Sequence, residues 1–517
     1  MTTNNIILSG DISQQEHQSD TFQPNSLLQR ITSVVWPITR QESPKVILIM
    51  LLMFSILSVQ NLVRGFKDAI VITQIAPEVT TFLKSYGVLP ASILMMLLYI
   101  KLTTMYKAVN IFYGIVIAFL SFFIFYGFLI FPNHQLLHLS QENTNAMTEL
   151  YPHLKWFILI LSNWSYSLFY VVAELWPTTV FGLMFWQFTN SVTSVEESRR
   201  FYPVFGLLGQ LGLVFAGQIL VYMQDWSMSL EQYFQNIEKD IIIVQLCMSI
   251  VAILCMISLI ALWFLHHKIF GATVENLKFK VRKKQSLIES LRFILQSKYI
   301  ALITIVLICY GAGINLIEGP WKRKAALLYS QIDEYVFFTG HYLTYNGLMV
   351  ILFVIIDINI IRFFGWFAGA IVCPAIMLIF GTMLFLTLNF DITSYISAFG
   401  ILTDPTILAI NIGMLFNALS KASKYTTFDT TKEMAYVPLD NAIKTQGKAA
   451  ADLIGGKLGK SIGGFLQSMI FVIIPTATFD SISMPLMFIF IAICLIWLFT
   501  LYILNKEYVK ACKQNGN

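Results

Sequence analysis

Twelve runs of mostly apolar residues constrain this chain before anything else does. They fall at 46–63, 80–100, 109–131, 156–180, 201–223, 241–266, 299–318, 336–361, 365–389, 400–420, 455–476 and 484–504 of 517 residues. About 20 such residues in a helix cross the roughly 30 Å hydrocarbon core of a bilayer. The runs are continuously apolar and do not alternate, so an outer-membrane barrel is excluded and helices are the spanning solution. Composition agrees: 56 % of residues are apolar and 12 % charged, with a mean hydropathy of +0.69, far from a soluble domain. The expected fold is an all-α polytopic membrane protein of twelve transmembrane helices.

Charge sets the expected orientation and organisation. Lys and Arg gather on alternate loops (Lys45, Lys101, Lys107, Arg199, Arg200, Arg362, Lys421, Lys424, Lys432, Lys444, Lys448) and in the tail (Lys506, Lys510, Lys513), whereas 132–154 has no Lys or Arg. The positive-inside rule places the basic loops and both termini in the cytoplasm. The largest basic stretch, 267–298, has eight Lys or Arg against two Glu and reads as a cytoplasmic linker, not a nucleic-acid patch. It divides the chain into a tail (1–44), a six-helix bundle (45–266), the linker (267–298), a second six-helix bundle (299–504) and a tail (505–517). Two six-span halves with both ends on one side is a major-facilitator-like layout, in which substrate sits between the halves. The polar first 44 residues lack the apolar core of a cleaved signal.

Two charged phrases close equivalent spans. "NLVRGFKDA" (61–69) ends the first run and "NLIEGPWKRKA" (315–325) the seventh, with Asn61 and Asn315 separated by 254 positions. If the halves are repeats, Arg64 matches Glu318 and, with Pro320 taken as an insertion, Lys67 matches Lys322. Basic residues at the outer ends of spans defy the orientation rule, and charge in or near hydrocarbon points to a watery cavity or a partner. Asn163 and Glu174 in span 4, and Asn411 and Asn417 in span 10, add polar groups to two further spans; interhelical hydrogen bonding is the alternative for the Asn residues. Cations outnumber acids in this set, which favours an anionic, phosphate-bearing substrate. Gly65, Gly319, Pro90, Pro177 and Pro374 are candidate bending points.

Other chemistry is sparse. "IGGKLGKS" (454–461) resembles a phosphate loop, but Ile454 stands where the first Gly is required and no strand precedes it. Lys457 and Lys460 instead enter span 11, where they are placed to meet an anionic substrate from the cytoplasmic side. Five of six Cys lie in spans without disulfide or metal spacing, and the seven His are scattered. No metal, no cofactor and no enzymatic constellation is expected.

Several stretches, in order, resemble one family: "KDAIVIT" (67–73), "FLKSYGVLPAS" (82–92), "AELWPTTVFGLMFWQFTN" (173–190), "RRFYPVFGLLGQLG" (199–212), "INLIEGPWKRK" (314–324), and "FDTTKEMAYVPLD" with "GKAAADLIGGKLGKS". They are similar to the nucleotide transporters of the ATP/ADP translocase type found in obligately intracellular bacteria and plastids. The resemblance implies nucleotide exchange by alternating access in a bacterial inner membrane, with functional charges at Lys67, Glu174, Glu318 and Lys460. Members often have Gly where this chain has Pro177, and Pro320 lies inside the E-G-x-W-K motif. Relatives differ in cargo, and some couple to protons. The substrate-binding set is therefore Arg64, Lys67, Asn163, Glu174, Glu318, Lys322 and Lys460, in a monomer whose partners are a nucleotide and the lipid bilayer. Proton-coupled uptake, a facilitator for another phosphorylated organic anion, and a non-transporting receptor are the alternatives.

Overall fold

The computed structural model describes residues 38–270, 287–392 and 404–514. Hydrocarbon cannot satisfy a backbone N–H or C=O, so each apolar run closes its hydrogen bonds within itself as a helix. Among the described residues, ten helices are long and apolar enough to span: α1 (Ser43–Gln74), α2 (Val79–Met105), α3 (Ala108–Leu137), α4 (Trp164–Val192), α5 (Val195–Glu231), α6 (Lys239–Ile269), α7 (Lys298–Leu328), α8 (Ile332–Phe353), α9 (Phe363–Asn389) and, at the end of the chain, Phe479–Gln514. Two further long helical stretches precede that last one: α10 (405–436) and α11 (Asn441–Ile473), so Phe479–Gln514 is α12. Asn411, Asn417 and Lys421 in α10, and Lys457 and Lys460 in α11, dilute the hydropathy of these two.

Helix ends depart from the hydropathy runs where polar residues continue a helix. The first run stops at 63, yet α1 continues without a break through Gly65 to Gln74, and α7 continues through Gly319 and Pro320 to Leu328. Gly65 and Gly319 are close-packing points in unbroken helices. A Cβ on Gly65 would lie 2.8 Å from Leu220, and one on Gly319 would lie 2.3 Å from the Phe479 ring. Spans 8 and 9 need no loop at 362–364, because Gly365 turns the chain at φ 82°, ψ −177°, a region open essentially to glycine.

The halves meet most tightly along α5 and α8. A Cβ on Gly217 would sit 2.8 Å from the Gly340 carbonyl oxygen, and one on Gly340 would sit 2.7 Å from that of Gly217. Small residues let membrane helices approach this closely where no hydrophobic force between them exists. Even-numbered helices begin at the end where α1 finishes, remote from its start, and more links gather there. Glu78 accepts from the Phe479 N–H at 3.1 Å, Thr81 donates to Gln467 at 3.3 Å, and Lys239 pairs with Asp333 at 2.7 Å. At the opposite end, contacts tie elements within the first half. Lys45 meets Glu197 at 2.8 Å, and Arg200 donates to Glu42 at 2.8 Å, holding that carboxyl down at about 2.

Candidate functional site

Helical spacing assembles the site. Positions three and four apart share a helix face, so Arg64, Lys67 and Asp68 on α1 project together, as do Tyr170 and Glu174 on α4 and Glu318 and Lys322 on α7. Lys84 joins from a π-helical segment, Leu83–Val88, at the start of α2.

These side chains form one chain of alternating charge across the two halves. Glu174 lies 2.9 Å from Lys67, Lys67 lies 2.7 Å from Asp68, and Asp68 lies 2.8 Å from Lys322. Lys322 continues to Glu318 at 2.9 Å, and Glu318 to Lys84 at 2.7 Å. Lys67 is 1 % exposed, and its ammonium also rests 3.8 Å from the centre of the Tyr170 ring, a cation–π contact. Burying such charges is unfavourable unless each is paired. The alternation gives every member an opposite neighbour, and the Asp68–Lys322 and Lys84–Glu318 links join α1 and α2 to α7.

A small cavity adjoins this chain, lined by Arg64, Asp68, Glu318, Lys322, Tyr342 and Lys421 among others. Its free space is about 30 Å³, room for one or two waters. Arg64 is deep in the bundle yet exposed to the cavity, and among the described residues it makes no ion pair. Lys421 donates to the Tyr342 hydroxyl, with its ammonium 4.4 Å from that ring's centre. Arg64, Lys67, Lys84, Lys322 and Lys421 are five cations against the three carboxylates of Asp68, Glu174 and Glu318, an excess of two positive charges. That excess attracts a multiply charged anion, and Tyr342 and Trp321 line the cavity beside the cations.

The structure thus brings together Arg64, Lys67, Glu174, Glu318 and Lys322. Asn163 stands apart: it occupies the break before α4, where its Nδ2 donates to the Leu159 carbonyl at 3.0 Å, and it does not line the cavity. Lys460 lies on α11, and its side chain, like that of Lys457, is outside the described residues. Arg64 and Glu318 share the cavity wall, but the partners of Glu318 are Lys84 and Lys322.

Three members of the cluster carry no assignment from sequence. Asp68 sits beside Lys67 in "KDAIVIT". Matching Lys67 to Lys322 needs an insertion at Pro320, but α7 carries Pro320 inside one continuous helix. The uninterrupted offset of 254 therefore pairs Asp68 with Lys322, and these two touch. Lys84 lies within "FLKSYGVLPAS". Lys421 reads as a loop charge by orientation, but α10 runs on past it to 436.

A family model described as TLC ATP/ADP transporter matches residues 21–508. The chain belongs to this family. It is a membrane transporter, not an enzyme. ADP,ATP carrier protein 4 of Rickettsia bellii (strain RML369-C) is 49 % identical over 498 residues, covering 95 % of each chain. ADP,ATP carrier protein 3 of the same strain is 39 % identical over 505 residues, covering 95 % of this chain and 99 % of that one. Among solved structures, the nucleoside transporter NupG superposes with a TM-score of 0.55 at 13 % identity, covering 89 % of this chain and 99 % of its own. That likeness shows the major-facilitator-like fold of the TLC chain.

Proposed function

We propose that this chain exchanges nucleotides, ATP against ADP or another ribonucleotide pair, across a bacterial inner membrane by alternating access. It acts as a monomer of two bundles, 45–266 and 299–504, joined by the linker 267–298, with both termini in the cytoplasm. One observation carries the reading: a chain of six alternating charges links the halves beside a cavity with unmatched cations. Closure at the end remote from the termini corresponds to an extracellular seal.

Phosphate oxygens entering the cavity meet Arg64 and Lys421 first, since neither is held by a carboxylate among the described residues. They then compete with Asp68 and Glu318 for Lys322, and with Asp68 and Glu174 for Lys67. Each carboxylate displaced from a cation gives way to a charge-assisted bond from that cation to phosphate. The swap loosens the pairs that join α1 and α2 to α7, so bound nucleotide favours the conformers in which the halves part. That is the differential interaction a ligand must have to shift an equilibrium between states. The empty carrier keeps its pairs closed and reorients slowly, which makes transport an exchange. Lys460 contacts the nucleotide from the cytoplasmic side, and Asn163 contributes at the bend before α4.

Uptake of labelled nucleotides into proteoliposomes, with and without internal counter-nucleotide, tests this. Uptake of ATP or ADP should require internal nucleotide, and Lys67→Ala should lower it by about 100-fold or more, because Glu174 loses its cation and Asp68 one of its two. Unchanged uptake by Lys67→Ala removes that residue from the site. No uptake of any nucleotide overturns the function.

A further inference from the structure

A second, larger hollow lies on the outside of the first half, facing the hydrocarbon. It encloses about 820 Å³ between Leu98 and Leu102 of α2, Gly114 and Ala118 of α3, and Val172 and Leu175 of α4. Its origin is legible in α3: Asn110, Gly114 and Ala118 recur every four residues, so one helix face is nearly bare. Opposite it stands α2, the least buried of the ten spanning helices. The walls are apolar, and the polar groups of the lining, Tyr106 and Asn110, sit together at the α2–α3 turn. Lys107 is exposed at that same turn, and Lys101 is exposed on α2 about one helical turn before it.

We propose that this groove binds one anionic phospholipid, an acyl chain lying along α3 and the headgroup phosphate held at Lys101 and Lys107 with Tyr106 and Asn110. Length supports a single leaflet. The lining of α3 runs from Asn110 to Phe122, twelve residue steps or about 18 Å at 1.5 Å each. Half of a hydrocarbon core of about 30 Å is about 15 Å. The groove therefore reaches from headgroup level to near the midplane, with its charged end where a headgroup belongs. Charge selects the class of lipid: two lysines at one mouth favour phosphatidylglycerol or another acidic lipid over a zwitterionic one. The far wall includes Val172 and Leu175, which flank Glu174, so the lipid packs against the helix that supplies one end of the charge chain.

Native mass spectrometry of the full chain, titrated separately with phosphatidylglycerol and phosphatidylcholine, tests the proposal. The wild type should retain one phosphatidylglycerol at least about ten-fold more tightly than phosphatidylcholine. The double variant Lys101→Gln/Lys107→Gln, altered only at exposed positions, should lose that preference while still taking up lipid. Gly114→Trp should lose the tight adduct of both lipids, because a Cβ at this position meets nothing within 4 Å and the indole would fill the groove. Equal retention of the two lipids by the wild type, or a tight adduct that survives Gly114→Trp in a protein of wild-type melting temperature, overturns the site. Neither result bears on which nucleotide is carried.

Discussion

Helices α1 and α7 carry the same phrase with opposite charge. Position by position at an offset of 254, Asn61 stands against Asn315, Arg64 against Glu318, Gly65 against Gly319 and Asp68 against Lys322. The uncharged pairs do the same job in both halves, since each Gly lets a neighbour pack closely and each Asn lies buried on its helix. Of the charged pairs, Asp68 and Lys322 touch, whereas Arg64 and Glu318 share the cavity wall without an ion pair between them among the described residues. Like charges there would repel in a low-dielectric interior, whereas opposite charges make a bond. The two phrases share one spacing and carry opposite charge at the position where they touch.

Breaking that asymmetry at its centre gives the largest effect. Asp68 holds both Lys67 and Lys322, so Asp68→Asn leaves two buried ammonium groups short of a partner. Removing one member of a buried pair costs about 3–5 kcal/mol. The variant should therefore melt well below the wild type and lose exchange by two orders of magnitude or more. Lys322→Gln should behave similarly, but the double variant Asp68→Asn/Lys322→Gln should be more stable than the sum of the singles by about 1–3 kcal/mol. Additive losses in thermal melts would mean that the two residues are not coupled across the axis.

The other matched pair, Arg64 and Glu318, should respond differently. Among the described residues Arg64 supports no carboxylate directly, so Arg64→Ala should leave the melting temperature near that of the wild type. It should raise the nucleotide concentration for half-maximal exchange by about ten- to a hundred-fold, the range for losing a hydrogen bond to a charged group. An unchanged half-saturation value would remove Arg64 from the phosphate path.

Much of the fold and site is legible in the sequence, and the gaps share one cause. Continuous apolar runs mark most spans, because only apolar residues are tolerated against lipid over a whole helix. Lys67, Glu174, Glu318 and Lys322 stand out because ionisable groups there violate the same rule. Hydropathy fails where a helix continues through polar residues that face a cavity and not lipid. It ends α1 at 63 and so separates Asp68 from its span, and it ends span 10 at 420 and turns Lys421 into a loop charge. Lys84 is missed for a related reason: a cation one turn inside a helix looks interfacial, and only the fold brings it to Glu318. Which residue of α1 meets which of α7 also depends on whether Pro320 is an insertion, and local sequence does not decide that.

The rim of the closed end offers the sharpest contrast to the centre. Lys239 and Asp333 also join the two halves, at 2.7 Å, with Gln224 donating to the same carboxylate at 3.3 Å. Here the lysine side chain is 29 % exposed while the carboxylate is 1 % exposed, and neither lines the cavity. The carboxylate also keeps a neutral donor if the lysine is removed. Removing the lysine therefore leaves a buried carboxylate with one neutral donor, a cost in stability and not in recognition. Lys239→Ala should therefore lower the melting temperature yet leave half-saturation unchanged, while Asp68→Asn loses exchange as well. If the rim variant lost exchange as completely as the central one, simple closure of the halves would explain both losses. Asp68 would then be a latch like Asp333, and the alternating charge chain would have no separate part in recognising the nucleotide.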